Sequence, residues 1–322
     1  MSAHGEPDGV AGELVVKHLV TSLGAIDETA AGLILPHEHV FVDLRTPDHP
    51  DHGRAQTAEV VEVMASTLRG ARAARIGAIV EASTLGVGRR ADILAAVSRA
   101  AGLPLLVPTG VYREPWIPRW VHEASEPALV RWMLKELTDQ IDGSGVRAGW
   151  IKLSAGDDGL TPCERKVLRA AAGAARETGA VIGSHTIRGR VFLNQLAVIE
   201  ECGLSADRLI WIHAQAEQDR GLHREIGKLG AWLEYDAIGT PGTDEMYVEL
   251  VTEALEAGLG ARVLLSHDRG WYDPAKRRGG EQKPYTYLVE TFLPKLAAAG
   301  VGKLDIDRLT RANPFAAFSR QP

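Results

Sequence analysis

The chain has 322 residues, of which 45% are hydrophobic and 24% charged, a composition typical of globular proteins rather than of disordered or fibrous ones. Its formal net charge of −6 makes nucleic acid and anionic membranes improbable partners. The first twenty residues lack the apolar core of a secretory signal, and no later stretch approaches the roughly twenty uninterrupted apolar residues of a membrane span. We therefore expect a soluble, cytoplasmic protein. Two cysteines, Cys163 and Cys202, are too few for a disulfide framework, and we expect both to be packing residues on helices.

From about residue 30 onward, short apolar runs of strand length alternate with longer segments of helical periodicity. Eight such runs are found. They are LILPHEHV around Leu33, AIVEAST from Ala78, LLVPTGV from Leu105, GWIKLSA from Gly149, VIGSHT from Val181, LIWIHA from Leu209, AWLEYDAI from Ala231 and RVLLSHD from Arg262. Eight strands with intervening helices predict the α/β class and a (β/α)8 TIM barrel.

The alternative architecture is a doubly wound open sheet, which usually carries a glycine-rich phosphate turn after its first strand. No such motif is present at a strand–helix junction, so the barrel is preferred. Without a Pro- or Ser-rich linker, we predict a single domain over residues 1–322, with an N-terminal extension over about residues 1–25.

Three helix starts can be recognised from capping residues. Thr161, Pro162 and Glu164 form a capping-box signature ahead of an Ala-rich run that ends near Gly179. Thr57 and Thr243 each precede a segment of helical period with acidic residues in its first turn.

Candidate metal-binding side chains gather where the predicted strands end. They are His37, His39, His185, His213 and Asp268. His37 and His39 are two residues apart and face the same side of a strand, whereas Glu38 faces the other side. The carboxyl ends of barrel strands form the face on which barrel enzymes build their sites. A single histidine there would be read as a hydrogen-bonded structural residue, but several neutral imidazoles together favour a metal ion such as zinc.

The remaining polar residues near these positions have ordinary interpretations. His267 precedes Asp268 and must face the other side of the strand, so we expect it to pack or to support the site. His122 follows strand three and His223 lies in a predicted helix, where an exposed or hydrogen-bonded histidine is the default.

Lys152 lies at the centre of a strand among apolar neighbours, where an unpaired ammonium is costly to bury. A desolvated amine of lowered pKa can add carbon dioxide and become a carbamate, whose two oxygens can bridge two cations. The alternatives are a buried ion pair or a lysine that reaches solvent.

A His-x-His pair on strand one, Lys on strand four, His on strands five and six and Asp on strand eight together resemble the amidohydrolase superfamily, and specifically its phosphotriesterase family. Further segments resemble the family in order, from GVGRRADILAAVSRAAGLPLLVPTGVY and GVRAGWIKLSAG to TPCERKVLRAAA and RANPFAAF. The resemblance covers the chain from about Leu33 to Phe318.

The resemblance implies two divalent metal ions, with zinc as the expected metal and manganese, cobalt and iron as alternatives. His37 and His39 would hold the more buried ion, with Asp268 completing that site, and His185 and His213 would hold the other. Lys152, as a carbamate, would bridge them. Asp268 would also accept a proton from a bridging hydroxide as that hydroxide attacks the substrate.

The loops after the strands suggest the substrate. Tyr112 stands where lactonase members of the family resemble this chain in carrying tyrosine. The resemblance implies that its phenol meets the substrate and donates to the lactone ring oxygen, or that it merely fills space. Trp271, with Trp116 and Trp120, is expected to wall a pocket or to pack a subunit interface, since relatives are commonly homodimers. Basic residues at the mouth are expected to bind an anionic group or to form a solvated charge run; they are Arg113, Arg188, Lys276, Arg277, Arg278 and Lys283.

We therefore predict a binuclear metal hydrolase of carboxylic esters, with lactones as the leading substrate class and with promiscuous phosphotriesterase activity. Hydrolysis of an amide or another C–N bond is the alternative, because the same hydroxide attacks either carbonyl. A catalytically silent barrel that only binds ligands is the minor alternative.

Overall fold

The structure is a computed structural model that describes residues 16–321, so most of the predicted N-terminal extension lies outside the described residues. Eight strands form the barrel and are numbered here in chain order. They are β1 (Leu33–Phe41), β2 (Ile76–Glu81), β3 (Leu105–Leu106 and Pro108–Thr109), β4 (Trp150–Ser154), β5 (Ile182–His185), β6 (Leu209–Ile212), β7 (Trp232–Tyr235) and β8 (Val263–Leu265). All eight coincide with the predicted runs, and the α/β barrel is confirmed.

The strands are parallel and neighbours in sequence pair in order around the barrel. β3 is divided, because its first segment pairs with β2 and its second segment with β4. The barrel closes through the chain that follows β8. There the Asp268 N–H donates to the carbonyl of His37 over 3.2 Å, and a short strand, Gly270–Tyr272, pairs with β1.

Helices cover the outside of the barrel between successive strands. The principal ones are α1 (Thr57–Ala73), α2 (Ala91–Ala101), α3 (Glu126–Thr138), α4 (Pro162–Thr178), α5 (Gly189–Glu201), α6 (Arg220–Leu229), α7 (Asp244–Glu256) and α8 (Leu293–Ala298). A π-helical turn, Leu288–Phe292, leads into α8, and three short helices end the chain: Lys303–Asp307, Arg308–Ala312 and Asn313–Phe318. No helix in the described range is both long and apolar enough to cross a bilayer.

The capping predictions have different outcomes. The capping box of α4 is confirmed, since Thr161 accepts from the Glu164 N–H and Glu164 accepts from the Thr161 N–H, and Gly179 ends the helix in the left-handed region. Thr57 is not the N-cap of α1, because the helix begins at Thr57 itself and Gln56 precedes it without a capping bond. Thr243 precedes α7 without capping it, since its hydroxyl donates to the Thr240 carbonyl.

Two apolar layers stabilise the barrel. One fills the space between the strands and the surrounding helices. The other fills the barrel interior, where Trp150 contacts Phe318 and both are completely or almost completely buried. An antiparallel hairpin, Leu19–Thr21 with Gly24–Ile26, contributes Leu19 to this inner layer. Because the interior is packed, the polar side chains at the carboxyl ends of the strands are held by a rigid frame.

Candidate metal centre and active site

The six predicted metal ligands come together at the carboxyl end of the barrel. All of them line one cavity of about 60 Å³, and they come from β1, β4, β5, and the segments after β6 and β8. They are His37, His39, Lys152, His185, His213 and Asp268. Residues separated by more than 200 positions are thus brought to a single point, as the barrel prediction requires.

One close group within this cavity consists of His37, His39 and Asp268, whose potential ligand atoms lie within 4.8 Å of one another. Asp268 Oδ1 lies 3.7 Å from His37 Nε2 and 3.1 Å from His39 Nε2. Within the described residues, both His37 Nε2 and Asp268 Oδ1 are buried without a hydrogen-bond partner. Unpaired buried polar atoms are expensive, so two of them aimed at one point fit a cation that both would bind.

The imidazoles are crowded together. The ring centroids of His185 and His213 are 4.4 Å apart, and those of His37 and His213 are 5.2 Å apart. Burial lowers the pKa of His37 and of His185 well below the usual value, and the positive charge of Lys152 acts in the same direction. Neutral imidazoles are the form that binds metal ions.

The Nδ1 atoms of two of these rings are occupied by carboxylates of β7 and its end. His37 Nδ1 lies 2.7 Å from Glu234 Oε1, and His213 Nδ1 lies 2.7 Å from Asp236 Oδ1. Burial alone would raise the pKa of Asp236, but His213 and His37 lower it, so this group is an ionised acceptor. Because Nδ1 is taken, each ring presents Nε2 to the cavity, which is the usual arrangement of metal-binding histidines.

The other two rings have hydroxyl partners. His39 Nδ1 lies 2.8 Å from Ser83 Oγ, and the backbone N–H of Ser83 donates to Glu81 behind it. His185 Nδ1 lies 3.2 Å from the hydroxyl of Tyr112, which also lines the cavity. Tyr112, predicted from the sequence to meet substrate, therefore contacts a predicted metal ligand directly.

Glu81, Ser83, Glu234 and Asp236 were not singled out from the sequence. A signal was present for two of them, because Glu234 and Asp236 are two residues apart in the otherwise apolar run AWLEYDAI and so face the same side of β7. Two carboxylates on one face of a buried strand need cationic or hydrogen-bonding partners.

Lys152 lies in the middle of β4 and only 2% of it is exposed. It lines the cavity, so the alternative of a lysine that reaches solvent does not apply, and it forms no ion pair within the described part of the chain. Burial lowers the pKa of its ammonium, partly opposed by Glu234 and Asp236. A buried amine that loses its proton more easily is the form that can react with carbon dioxide.

Left-handed backbone occurs at three residues of the site. The φ angles are +64° at His213, +56° at Asp268 and +67° at Trp271. This region is uncommon for residues other than glycine and is unfavourable for a bulky side chain. Its recurrence around one cavity indicates that the surrounding structure holds these side chains in a required direction.

Glu38 and His267 face away from the cavity, as the strand alternation predicts. Glu38 Oε1 accepts from His267 Nδ1 over 2.6 Å, and its Oε2 accepts from the Arg269 N–H. His267 Nε2 in turn accepts from the backbone N–H of Leu288. This buried network joins β1 to the chain after β8 and to the start of the C-terminal helices.

A larger cavity of about 390 Å³ adjoins the metal-centre cavity and shares Asp268 and Trp271 with it. Besides Asp268, its lining includes two basic side chains, Lys276 and Lys283, and two further acidic ones, Asp273 and Glu281. A cavity of this size is within the range of small-molecule sites.

The structure does not bring Arg277 and Arg278 to this cavity. Arg277 is exposed, and Arg278 turns outward to pair with Glu62 of α1 over 2.7 Å. Arg113, beside Tyr112, is half-buried, and its Nε has no partner within the described residues. The predicted roles of all three arginines in substrate binding therefore stay predictions. Arg113 is the better candidate of the three, because it neighbours Tyr112.

Trp271 and Trp116 lie at the site, whereas Trp120 and His223 have packing contacts elsewhere. Trp271 lines both cavities, and Trp116 contacts the edge of Tyr112 with ring centroids 5.6 Å apart. Trp120 instead packs against Trp132. His223 is buried and hydrogen-bonded to Tyr235, as a structural histidine would be.

The chain is similar to known proteins over most of its length. The family model described as "Phosphotriesterase family" matches residues 17–318. The phosphotriesterase homology protein of Escherichia coli is 30% identical over 292 residues, which cover 89% of this chain and 98% of that protein.

A crystallised variant of the Deinococcus radiodurans PTE-like lactonase superposes with a TM-score of 0.85 at 30% identity, covering 93% of this chain and 99% of that one. The N-acetyltaurine hydrolase of Danio rerio is 22% identical over 332 residues, covering 96% of this chain and 94% of that protein.

Proposed function

Because the chain belongs to the phosphotriesterase family of hydrolases, we propose that it is a binuclear metal-dependent enzyme that hydrolyses carboxylic esters, with lactones as the leading substrate class. One observation carries the proposal. Four imidazoles, a lysine amine and a carboxylate from distant parts of the chain line one small cavity, and buried hydrogen-bond partners orient the rings.

Each predicted ligand has a place in this scheme. His37, His39 and Asp268 would hold one ion, His185 and His213 would hold the other, and Lys152 would join the two after carboxylation. Bound divalent ions would supply Lewis acidity toward a carbonyl oxygen and would lower the pKa of water.

The protein's own groups complete the reaction. Asp268 directs Oδ1 at His37 and His39, which leaves Oδ2 to accept the proton of the attacking water. The hydroxyl of Tyr112, which lines the cavity beside His185, would donate to the ring oxygen of a lactone. Burial raises the pKa of Tyr112, so the phenol keeps the proton that it would donate. Trp271 forms one wall of the cavity.

Two kinds of relative bear on the scissile bond. The lactonase relative is the more similar to this chain, at 30% identity, and it favours an ester substrate. The N-acetyltaurine hydrolases favour an amide, and the same arrangement of groups acts on either carbonyl. Amide hydrolysis is therefore the second candidate.

The test compares metal content and turnover in the native enzyme and in Lys152→Ala. We expect about two divalent ions per chain in the native enzyme, and in the variant fewer ions and loss of most activity. A panel of lactones, phosphotriesters and N-acyl amino-sulfonates distinguishes the candidates. Turnover that survives complete metal removal would contradict the mechanism, and exclusive turnover of amides would replace the first candidate with the second.

The larger cavity of about 390 Å³, called the mouth cavity from here on, predicts how the enzyme responds to substrates that carry a negative charge. Lys283 lines this cavity, whereas Arg277 does not. We expect Lys283→Ala to raise KM for an anionic lactone more than for a neutral one, with kcat nearly unchanged. Arg277→Ala is the matched control. Equal effects of the two substitutions would show that the outward arginines are as important as the lining lysine.

A further inference from the structure

Three side chains of types that can bind metal ions meet near the surface, outside the metal-centre cavity. The potential ligand atoms of Glu114, His122 and Cys163 lie within 4.8 Å of one another, and His122 Nε2 is 3.4 Å from Glu114 Oε1. They share the lining of an open cavity of about 420 Å³ with Lys166 and the start of α4. None of these residues lines the cavity of the predicted metal centre.

The backbone that carries the three side chains is fixed by its own hydrogen bonds. Lys166 of α4 donates from Nζ to the carbonyls of Val121, His122 and Ala124 over 2.8 to 2.9 Å, which fastens the short helix Arg119–Glu123 to α4. His122 is thereby held beside the start of α4.

The other two side chains are anchored at the same helix start. Cys163 is the second residue of α4 and lies inside the capping box of Thr161 and Glu164. Glu164 also accepts from the backbone N–H of Glu114 over 3.2 Å. One carboxylate thus fixes both the helix start and the segment that carries Glu114.

One thiol, one imidazole and one carboxylate form a donor set that suits zinc, with the fourth tetrahedral position left to water. Metal–ligand distances of about 2.0 to 2.3 Å imply separations of about 3.5 Å between ligand atoms, close to that observed between His122 and Glu114. The side chains of His122 and Glu114 are 41% and 36% exposed, so an ion can enter from solvent. The ammonium of Lys166 donates to three backbone carbonyls and not to a side chain of the cluster.

We propose that Glu114, His122 and Cys163 form a separate binding site for one zinc-class divalent cation. The site would join the loop after β3 to the start of α4. That loop also carries Tyr112, which lines the metal-centre cavity, and Trp116, which packs on it. An ion bound here therefore braces one side of the active-site mouth without touching substrate.

Cobalt(II) provides a test with a spectroscopic signature, because a cobalt–thiolate bond absorbs in the near ultraviolet, whereas nitrogen and oxygen ligands do not produce this band. The predicted metal centre contains no cysteine, and the chain has only Cys163 and Cys202. We expect the metal-free full chain to develop the thiolate band on titration with cobalt, Cys163→Ser to lose it, and Cys202→Ser to keep it.

Two further variants test whether all three side chains bind. We expect His122→Ala and Glu114→Gln to weaken the affinity measured from the band by at least the 10- to 100-fold that follows the loss of a supporting partner. Thermal unfolding of each metal-free variant checks that it is folded. Absence of the band at saturating cobalt, its survival in Cys163→Ser, or an unchanged affinity in both of the other variants would each overturn the proposal.

Discussion

Asp236 supports both halves of the predicted metal centre, so its substitution tests how that centre is built. Its carboxylate accepts from the backbone N–H of His213 over 3.0 Å, from His213 Nδ1 over 2.7 Å and from Gln215 over 2.8 Å. It also lies 3.4 Å from His37 Nδ1. One side chain therefore orients His213 and lies beside His37, which is a predicted ligand of the other ion.

The size of the effect of Asp236→Asn follows from these bonds. If the remaining oxygen keeps the bonds to His213 Nδ1 and Gln215, the new NH2 group faces the backbone N–H of His213. One hydrogen bond is lost and two donors oppose each other, which costs about 1 to 3 kcal/mol. Since about 1.4 kcal/mol corresponds to a tenfold change, we expect metal affinity to fall by about 5- to 150-fold.

Competition with a chromophoric chelator measures this affinity for zinc in the native enzyme and in the variant. Asp273→Asn is the matched control, because Asp273 is a carboxylate of the mouth cavity that is ion-paired with Lys276 and forms no hydrogen bond with a histidine within the described residues. Circular dichroism of the metal-free proteins checks the fold. An affinity of Asp236→Asn within twofold of the native value, in a folded protein, would refute the supporting role assigned to Asp236.

Two predictions concern stability. His267→Leu removes one charge-assisted hydrogen bond from the buried carboxylate of Glu38, which keeps Ser266 and two backbone N–H groups as donors, and it leaves the N–H of Leu288 without a partner. We expect a loss of about 3 to 5 kcal/mol in urea denaturation, and a loss below 1 kcal/mol would contradict this account. Arg89 and Glu136 form a buried bidentate pair with contacts of 2.6 and 2.7 Å. Arg89→Met should destabilise the protein by a similar amount, because it leaves the carboxylate of Glu136 buried without its cationic partner. The double variant Arg89→Met with Glu136→Leu should recover much of this loss. If the losses of the two single variants simply add in the double variant, the pairing is unimportant.

The fold could be predicted from the sequence because each strand has a strong local signal. Buried parallel strands are continuous apolar runs of limited length, and their order along the chain is also their order around the barrel. The break within β3 has a local cause as well. Pro108 has no N–H to donate, and the ladder changes partners around it, from β2 at Leu106 to β4 at Pro108.

The candidate site was predictable only in part. His37, His39 and Lys152 are conspicuous because a polar residue interrupts an apolar strand. Glu234 and Asp236 interrupt one as well, but their partners lie up to 197 positions away, and nothing in the local pattern pairs a carboxylate with a particular imidazole.

The mouth was the least predictable region. Arg278 points outward because its backbone is left-handed, with φ of +51°, and because Glu62 lies across from it on α1. The sequence contains the basic run, but not the direction in which each of its members turns.

The metal ligands were easier to predict than the mouth residues for a physical reason, and the same reason lets the metal centre and the substrate preference vary independently. The predicted ligands and their supports lie on or next to strands whose register is fixed by the barrel ladder, whereas the mouth is formed by loops that the ladder does not constrain. Changes in the loops can therefore alter the substrate while the metal centre is retained. On this reasoning, Lys283→Ala should change KM without reducing metal content, and Asp236→Asn should reduce metal affinity without changing substrate preference. A loss of metal content in Lys283→Ala, or a changed substrate preference in Asp236→Asn, would mean that the mouth and the metal centre are coupled.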